Sequence, residues 1–380
     1  MRPSLGPALA LALLLTPRAA GADDIRMIDA HSQVDSSVGL DQVLSVMDEA
    51  GIAHAILSSL HGASRAGDIV DAARRHPGRI TPSIGLKAGR YRDGDPAAIE
   101  RVRKMASGPS FGALSEVMVL HEAKGRDGKA APEIIVAFDS PSVRAAVAIA
   151  RERRWPLVVH IEFGFAYAQN QFDRYMQGLE RLAAENRDLA VALTHMGQLN
   201  AANAERLIQA HPNLHFLTSH ANTVWLGSRN SGSAAWINLF DGDVLAPEWR
   251  ALIQRHPDRF VLAFDAVYDQ DWGLSYVSQV RLWKAAFKTL PADVARAVAH
   301  GNAERLWRLT GAAPTASGTA AARRTGTGEV LKTLDADGDD RLTPSEFRGP
   351  PRAFKQADTN GDGVLSADEF AAFRQRRRGQ

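Results

Sequence analysis

From residue 25 onward, short apolar runs alternate with stretches whose apolar residues recur at helical spacing. The runs fall at 25–30, 54–58, 80–86, 112–120, 156–162, 189–195, 214–220 and 260–265. Between them, 40–50, 142–153, 173–185 and 247–256 carry the helical period. The runs have the length of strands, and no antiparallel hairpin signal separates neighbours. Eight strand–helix repeats of this kind predict an α/β protein, a (β/α)8 TIM-type barrel over residues 25–310. His76-Pro77, His211-Pro212 and His256-Pro257 each follow a helix and precede a strand. Proline stops the helix there, so these histidines are expected in turns on the bottom face, away from chemistry.

Long connections at 120–140, 221–245 and 267–277 follow strands four, seven and eight and fall on the opposite, C-terminal face. That face carries the active site in this fold. They hold Trp225, Trp236, Phe240, Tyr268 and Trp272. After Thr310 the composition shifts: 311–328 is rich in Ala, Thr and Gly and reads as a flexible linker, and 329–376 as a separate small all-α module.

The N-terminus changes the picture of where the protein works. Arg2 precedes an apolar run at 5–15, then Pro17 and Ala20-Gly21-Ala22. Residues 1–22 therefore read as a secretory signal cleaved before Asp23, and the apolar run is far short of the roughly 20 residues a spanning helix needs. The expectation is a periplasmic or secreted protein that does not bind membrane. The chain has no cysteine, which excludes disulfides, thiolate nucleophiles and thiolate-bound zinc. A formal charge of +2 points to no nucleic acid, and a small molecule is the expected partner.

Candidate chemistry gathers at the strand ends. Strand one ends in His31-Ser32-Gln33, and residues two apart on a strand share a face, so His31 and Gln33 point together into the barrel mouth. Strand five ends in His160-Ile161-Glu162, strand six in His195, strand seven in His220 and strand eight in Asp265; Glu116 lies on strand four. Beyond them, residues 300–306 read His-Gly-Asn-Ala-Glu-Arg-Leu. With Phe264-Asp265 before it, this string resembles the closing signature of the second amidohydrolase family. Its members resemble one another as metal-dependent TIM-barrel hydrolases and decarboxylases.

The resemblance implies that His31 and Gln33 occupy the two metal-binding positions of an Asp-x-His-x-His motif that begins at Asp29. Gln33 departs from it, because an amide oxygen is a poorer zinc ligand than imidazole. It further implies that His160 binds the metal, that His195 acts on substrate, and that Asp265 binds metal and takes a proton from the attacking water. A divalent transition metal, expected to be zinc, would lower the pKa of bound water towards neutrality. His195 would polarise a carbonyl oxygen or protonate a leaving group. Glu116 or Glu162 could replace the missing imidazole or bridge a second metal, the bland alternative being a buried partner for a neighbouring base. His220 lines the pocket or caps its strand.

The tail holds two twelve-residue loops, 335–346 and 358–369. Asp335, Asp337 and Asp339 stand at positions one, three and five of the first; Arg341 supplies the carbonyl at seven and Glu346 the carboxylate at twelve. Asp358, Asn360, Asp362, Val364 and Glu369 repeat the pattern. This is the EF-hand arrangement, and two copies predict two calcium ions. Leu342 and Leu365 should pair the loops through a short β-bridge. Asp340 stands where glycine is expected, which weakens the first loop.

These features predict an exported, metal-dependent hydrolase cleaving a C–N or C–O bond, with a calcium-binding module. A non-oxidative decarboxylase of a carboxylated aromatic on the same barrel is the first rival. Arg126 and Arg229 are its candidate carboxylate binders. A catalytically inactive ligand-binding barrel is the second, kept open by Gln33.

Overall fold

The computed structural model describes residues 25–62, 64–124, 132–228 and 236–309, and in the tail 341–344, 346–347, 351–359, 363–366, 369–370 and 373. The expected signal and linker segments, Arg126, Arg229, Asp335, Asp337, Asp339, Asn360 and Asp362 lie outside the described residues. The chain divides into two compact units, Met1–Thr315 and Ala316–Gln380.

In the first unit, β1 (Ile28–Val34), β2 (His54–Ser59), β3 (Ile80–Ile84) and β4 (Ala113–Leu114) pair in parallel. So do β5 (Val117–His121), β7 (Leu157–Ile161), β8 (Val191–Leu193), β9 (Leu214–Leu217) and β12 (Phe260–Val261). β4 and β5 are one stave interrupted at Ser115-Glu116. The last stave closes on the first through Ala30 N to Leu262 O (3.0 Å), Asp265 N to His31 O (2.7 Å) and Gln33 N to Ala266 O (2.8 Å). The result is the expected (β/α)8 TIM barrel.

The helices form where capping and periodicity agree. Pro141–Arg153 starts with proline in its first turn and Ser140 accepting from Val143 N. Asp95 caps Pro96–Ser107, and Asn200 caps Ala201–Ala210. Phe172–Glu185 buries Tyr175, Met176, Leu179, Leu182 and Ala183, one face at spacings of three and four. His76, His211 and His256 sit at helix C-termini, as expected. Inside the barrel, Ile28, Ala30, Ile56, Val158, Ala192, Leu217 and Val261 pack together over Leu306 and Trp307.

Those last two belong to the helix Asn302–Trp307, which explains the 300–306 string physically. Asn302 Nδ2 donates to Pro257 O (2.7 Å) and Phe260 O (2.8 Å), pinning the helix beside the start of β12. Glu304 accepts from Arg26 (2.6 Å) and lies 2.9 Å from His300 Nδ1. The signature is a plug for the barrel floor.

The strand ends differ from expectation in instructive ways. β8 stops at Leu193 because His195, Met196, Gly197 and Gln198 all have positive φ, near 52° to 62°. The expected absence of antiparallel pairing fails twice: β6 (Ile134–Ile135) lies antiparallel to β5, and β10 (Phe240–Asp241) to β11 (Val244–Leu245). Two-residue strands in loops carry too little periodicity to be read.

In the second unit, β13 (Arg341–Leu342) and β14 (Leu365–Ser366) pair antiparallel with Leu342 opposite Leu365, the predicted bridge. Phe347, Phe354, Phe370 and Phe373 cluster around that pair. Gly363 takes φ +86°, the sharp turn its loop position demands. Glu369 Oε1 accepts from Thr359 N (3.0 Å) and Oε2 from Ser366 N (3.0 Å), drawing the loop together. Glu346 likewise accepts from Thr343 N (2.8 Å).

Candidate active site

The barrel mouth brings His31, Gln33, Glu116, His160, His195 and Asp265 together, all buried. Asp265 is the hub. Its Oδ1 accepts from Gln33 Nε2 (2.7 Å) and lies 3.5 Å from His31 Nδ1; its Oδ2 lies 3.6 Å from Nε2 of both His195 and His220. His195, His220 and Asp265 have φ of 52°, 60° and 52°, a left-handed backbone that non-glycine residues rarely adopt. Such strain concentrates at functional sites, and here it turns three side chains into one mouth.

Across from Asp265, Glu116 is saturated with donors. Its Oε1 takes Gln33 Nε2 (3.1 Å) and the Lys87 ammonium, and its Oε2 lies 2.6 Å from His160 Nδ1. The chain of charge continues: His160 Nε2 lies 3.3 Å from Glu162 Oε1, which Lys124 Nζ also contacts at 2.7 Å. Glu122 N donates to the other oxygen of Glu162 (2.7 Å). His160 is thus held between two carboxylates, and Glu162 is a buried partner of His160 and Lys124.

The electrostatics follow from these contacts. Burial alone would raise Glu116, but Lys87, His160 and His31 hold it well below the usual carboxylate range. Burial pushes Asp265 up, against the pull of His31. Burial and the neighbouring His220 push His195 well down, so its ring is neutral at pH 7. Burial opposes protonation of His160, yet Glu116 and Glu162 raise it overall.

One wall is aromatic. The His220 ring stacks between His195 (4.4 Å, 3°) and Trp225 (3.9 Å, 14°), and Trp236 meets the His195 ring edge-on at 5.4 Å. Lys124 Nζ lies 4.7 Å from the Trp236 ring centre. Sequence reasoning missed Lys87 and Lys124 and set His220 aside. Lys87 did carry a signal, standing three residues beyond β3 on the face where functional side chains collect.

An eight-stave barrel with carboxylates and imidazoles at its C-terminal mouth defines a TIM-barrel protein with a metal-type site. A family model described as amidohydrolase matches residues 14–309, and one described as EF hand matches residues 352–373. The chain belongs to the amidohydrolase family. The EF-hand match spans the whole of the second loop, and the first lies outside it. No curated protein matches the chain. Among solved structures, 4-oxalomesaconate hydratase from Rhodopseudomonas palustris is similar with a TM-score of 0.50 at 12% identity, over 74% of this chain and 96% of that one. An amidohydrolase from Burkholderia multivorans with bound zinc gives 0.44 at 13% identity, over 74% and 99%. At these identities the likeness concerns the fold alone.

The amidohydrolase family uses divalent metal, and the donor set of this chain can be tested for fit. His31 Nδ1 and Nε2 are both buried without a hydrogen-bond partner among the described residues. They lie 3.5 Å from Asp265 Oδ1 and 3.7 Å from Glu116 Oε1. One ligand atom from each of His31, Glu116 and Asp265 lies within 4.8 Å of the other two, so the three residues could share a divalent ion through one His31 nitrogen. His195, His220 and Asp265 also approach closely, but imidazole lone pairs lie in the ring plane. Two rings parallel within 3° and 4.4 Å apart cannot aim at one ion.

Proposed function

We propose that this chain is an exported metal-dependent hydrolase that cleaves a C–N or C–O bond of a small molecule with water. The observation that carries the reading is Asp265, buried and placed between His31, whose ring nitrogens have no hydrogen-bond partner among the described residues, and His195. A divalent ion held by His31, Asp265 and Glu116 would supply a water acidified towards neutrality. Asp265 would accept the proton from that water. His195 Nδ1 lies 3.0 Å from Ser219 Oγ and 3.4 Å from Ser219 O, which orients the ring with Nε2 towards Asp265. From there Nε2 carries the proton on to the leaving group. Trp236 and Trp225 shield this end from water.

The decarboxylase reading draws on the Lys124–Trp236 pair, a cation beside an aromatic wall next to His195. Release of carbon dioxide from an aromatic acid, with no new alcohol or amine, would favour it. The test is a screen of amides, lactones and aromatic acids against the chelator-stripped chain with and without added zinc. Hydrolysis that appears only with metal supports the reading. Absence of turnover with zinc, manganese and cobalt alike would leave a ligand-binding barrel. Export is checked separately by sequencing the mature N-terminus, expected at Asp23.

We infer further that the second unit holds two calcium ions, with Glu346 and Glu369 as bidentate ligands at position twelve. A ligand at a hundred times its Kd stabilises the unit that binds it by about 2.7 kcal/mol. The double variant Glu346→Gln, Glu369→Gln should lose the calcium-dependent rise in the thermal transition of that unit. An unchanged rise would place the calcium elsewhere.

A further inference from the structure

We infer that the Lys87 ammonium and the Gln33 amide stand at the cation position of this site, so that a divalent ion enters only by displacing them. The inference rests on the metal-dependent reading above and concerns how this chain regulates it.

Gln33 Nε2 reaches Asp265 Oδ1 at 2.7 Å and Glu116 Oε1 at 3.1 Å. These are the same two oxygens that His31 faces at 3.5 and 3.7 Å. One NH2 group spends both hydrogens bridging two carboxylates, the electrostatic task an ion would perform. The Lys87 ammonium adds a full charge on Glu116 Oε1, on the oxygen a metal would need. An incoming dication therefore meets a resident cation and an N–H pair instead of bare carboxylates.

The placement of Lys87 is built into the backbone. Gly85 leaves β3 so tightly that a Cβ there would lie 2.5 Å from Gly62 O and 2.6 Å from Ser59 O. Leu86 N then donates to Ser115 Oγ (3.1 Å), the residue beside Glu116. The two residues that precede Lys87 are thus fixed, which sets where its side chain leaves the backbone. Its side chain remains one-fifth exposed, which gives the displaced ammonium a way towards solvent.

Gln33 supplies the second half of the device. Its Oε1 is buried with no hydrogen-bond partner among the described residues, so the amide is satisfied only at its nitrogen. Turned over, Oε1 would face two carboxylates, a tolerable arrangement only with a cation between them. The amide therefore has two orientations, and the presence of an ion decides which is stable.

The test is the zinc affinity of the full chain by competition with a chromophoric chelator, with excess calcium keeping zinc off the EF-hand loops. Lys87→Met keeps length and burial but removes the charge. Taking a like charge from within a few ångströms of a dication should tighten zinc binding about a hundredfold or more. Lys87→Arg keeps the charge and should bind near wild type. If Lys87→Met does not fold by circular dichroism, Lys87→Gln is read in the same way. Zinc affinity that is unchanged or weaker in the neutral variant, while wild type binds zinc and turns over substrate, overturns this inference alone. If neither wild type nor the neutral variant takes zinc into the barrel, the metal-dependent reading falls with it.

Discussion

Asp265→Asn should abolish turnover, lowering kcat by about a thousandfold or more. The asparagine keeps the size of the side chain and an oxygen for Gln33 Nε2, which now reaches Asp265 Oδ1 at 2.7 Å. The backbone bond from residue 265 N to His31 O is untouched, so the barrel seam and the left-handed turn survive. What disappears is a base. An amide cannot take a proton from water near neutral pH, and it offers an ion a neutral oxygen where a carboxylate stood. Loss of kcat with a preserved thermal transition is the expected pair of results. Activity within a few-fold of wild type would mean that the proton goes elsewhere, and Glu116 would not be a ready substitute because its three donors hold it far too acidic.

The barrel was legible because its signal is repetitive: β/α alternation over the whole first unit survives errors of several residues at any strand end. The site residues were legible for a related reason. Strand C-termini converge in this fold, so His31, Glu116, His160, His195 and Asp265 were bound to meet once the strands were placed. How they meet was not legible. Nothing in the spacing says that His160 is clasped between Glu116 and Glu162, because that depends on ring rotation and on distances of a few tenths of an ångström. Lys87 and Lys124 stayed hidden because lysine in a loop after a strand reads as a solvated charge. Only the turn at Gly85 and the approach of Glu162 turn them inward. The string at 300–306 taught the opposite lesson, since the most recognisable stretch of the chain packs the barrel floor, at the end away from the chemistry.

Asp29→Ala should be strongly destabilising, costing about 3–5 kcal/mol at acidic pH and less at neutral pH. Asp29 opens the motif that carries His31 and Gln33, yet it points into the seam. Its carboxylate accepts from Ser32 Oγ (2.6 Å), Tyr276 Oη (2.9 Å), His31 N (3.2 Å) and Phe264 N (3.1 Å). Ser32 Oγ in turn accepts from Ala266 N (3.1 Å). These bonds lace β1 to the segment after β12 and so set the separation of His31 from Asp265. Alanine leaves several buried donors without an acceptor, and the metal pocket should loosen together with the fold. Burial nevertheless pushes Asp29 up to about 6 from 3.8, despite its four donors. A folded-state pKa above the unfolded value favours the protonated fold, so this contribution to stability is largest below 3.8 and is lost as pH rises through about 6. Two units correspond to roughly 3 kcal/mol. Glu116 titrates in the opposite sense, which is why the comparison is wild type against Asp29→Asn across the same range. The difference between their unfolding free energies should change steadily between about pH 4 and 6 and then level off. A difference that stays flat through that window would show Asp29 ionised throughout, with its four donors outweighing burial.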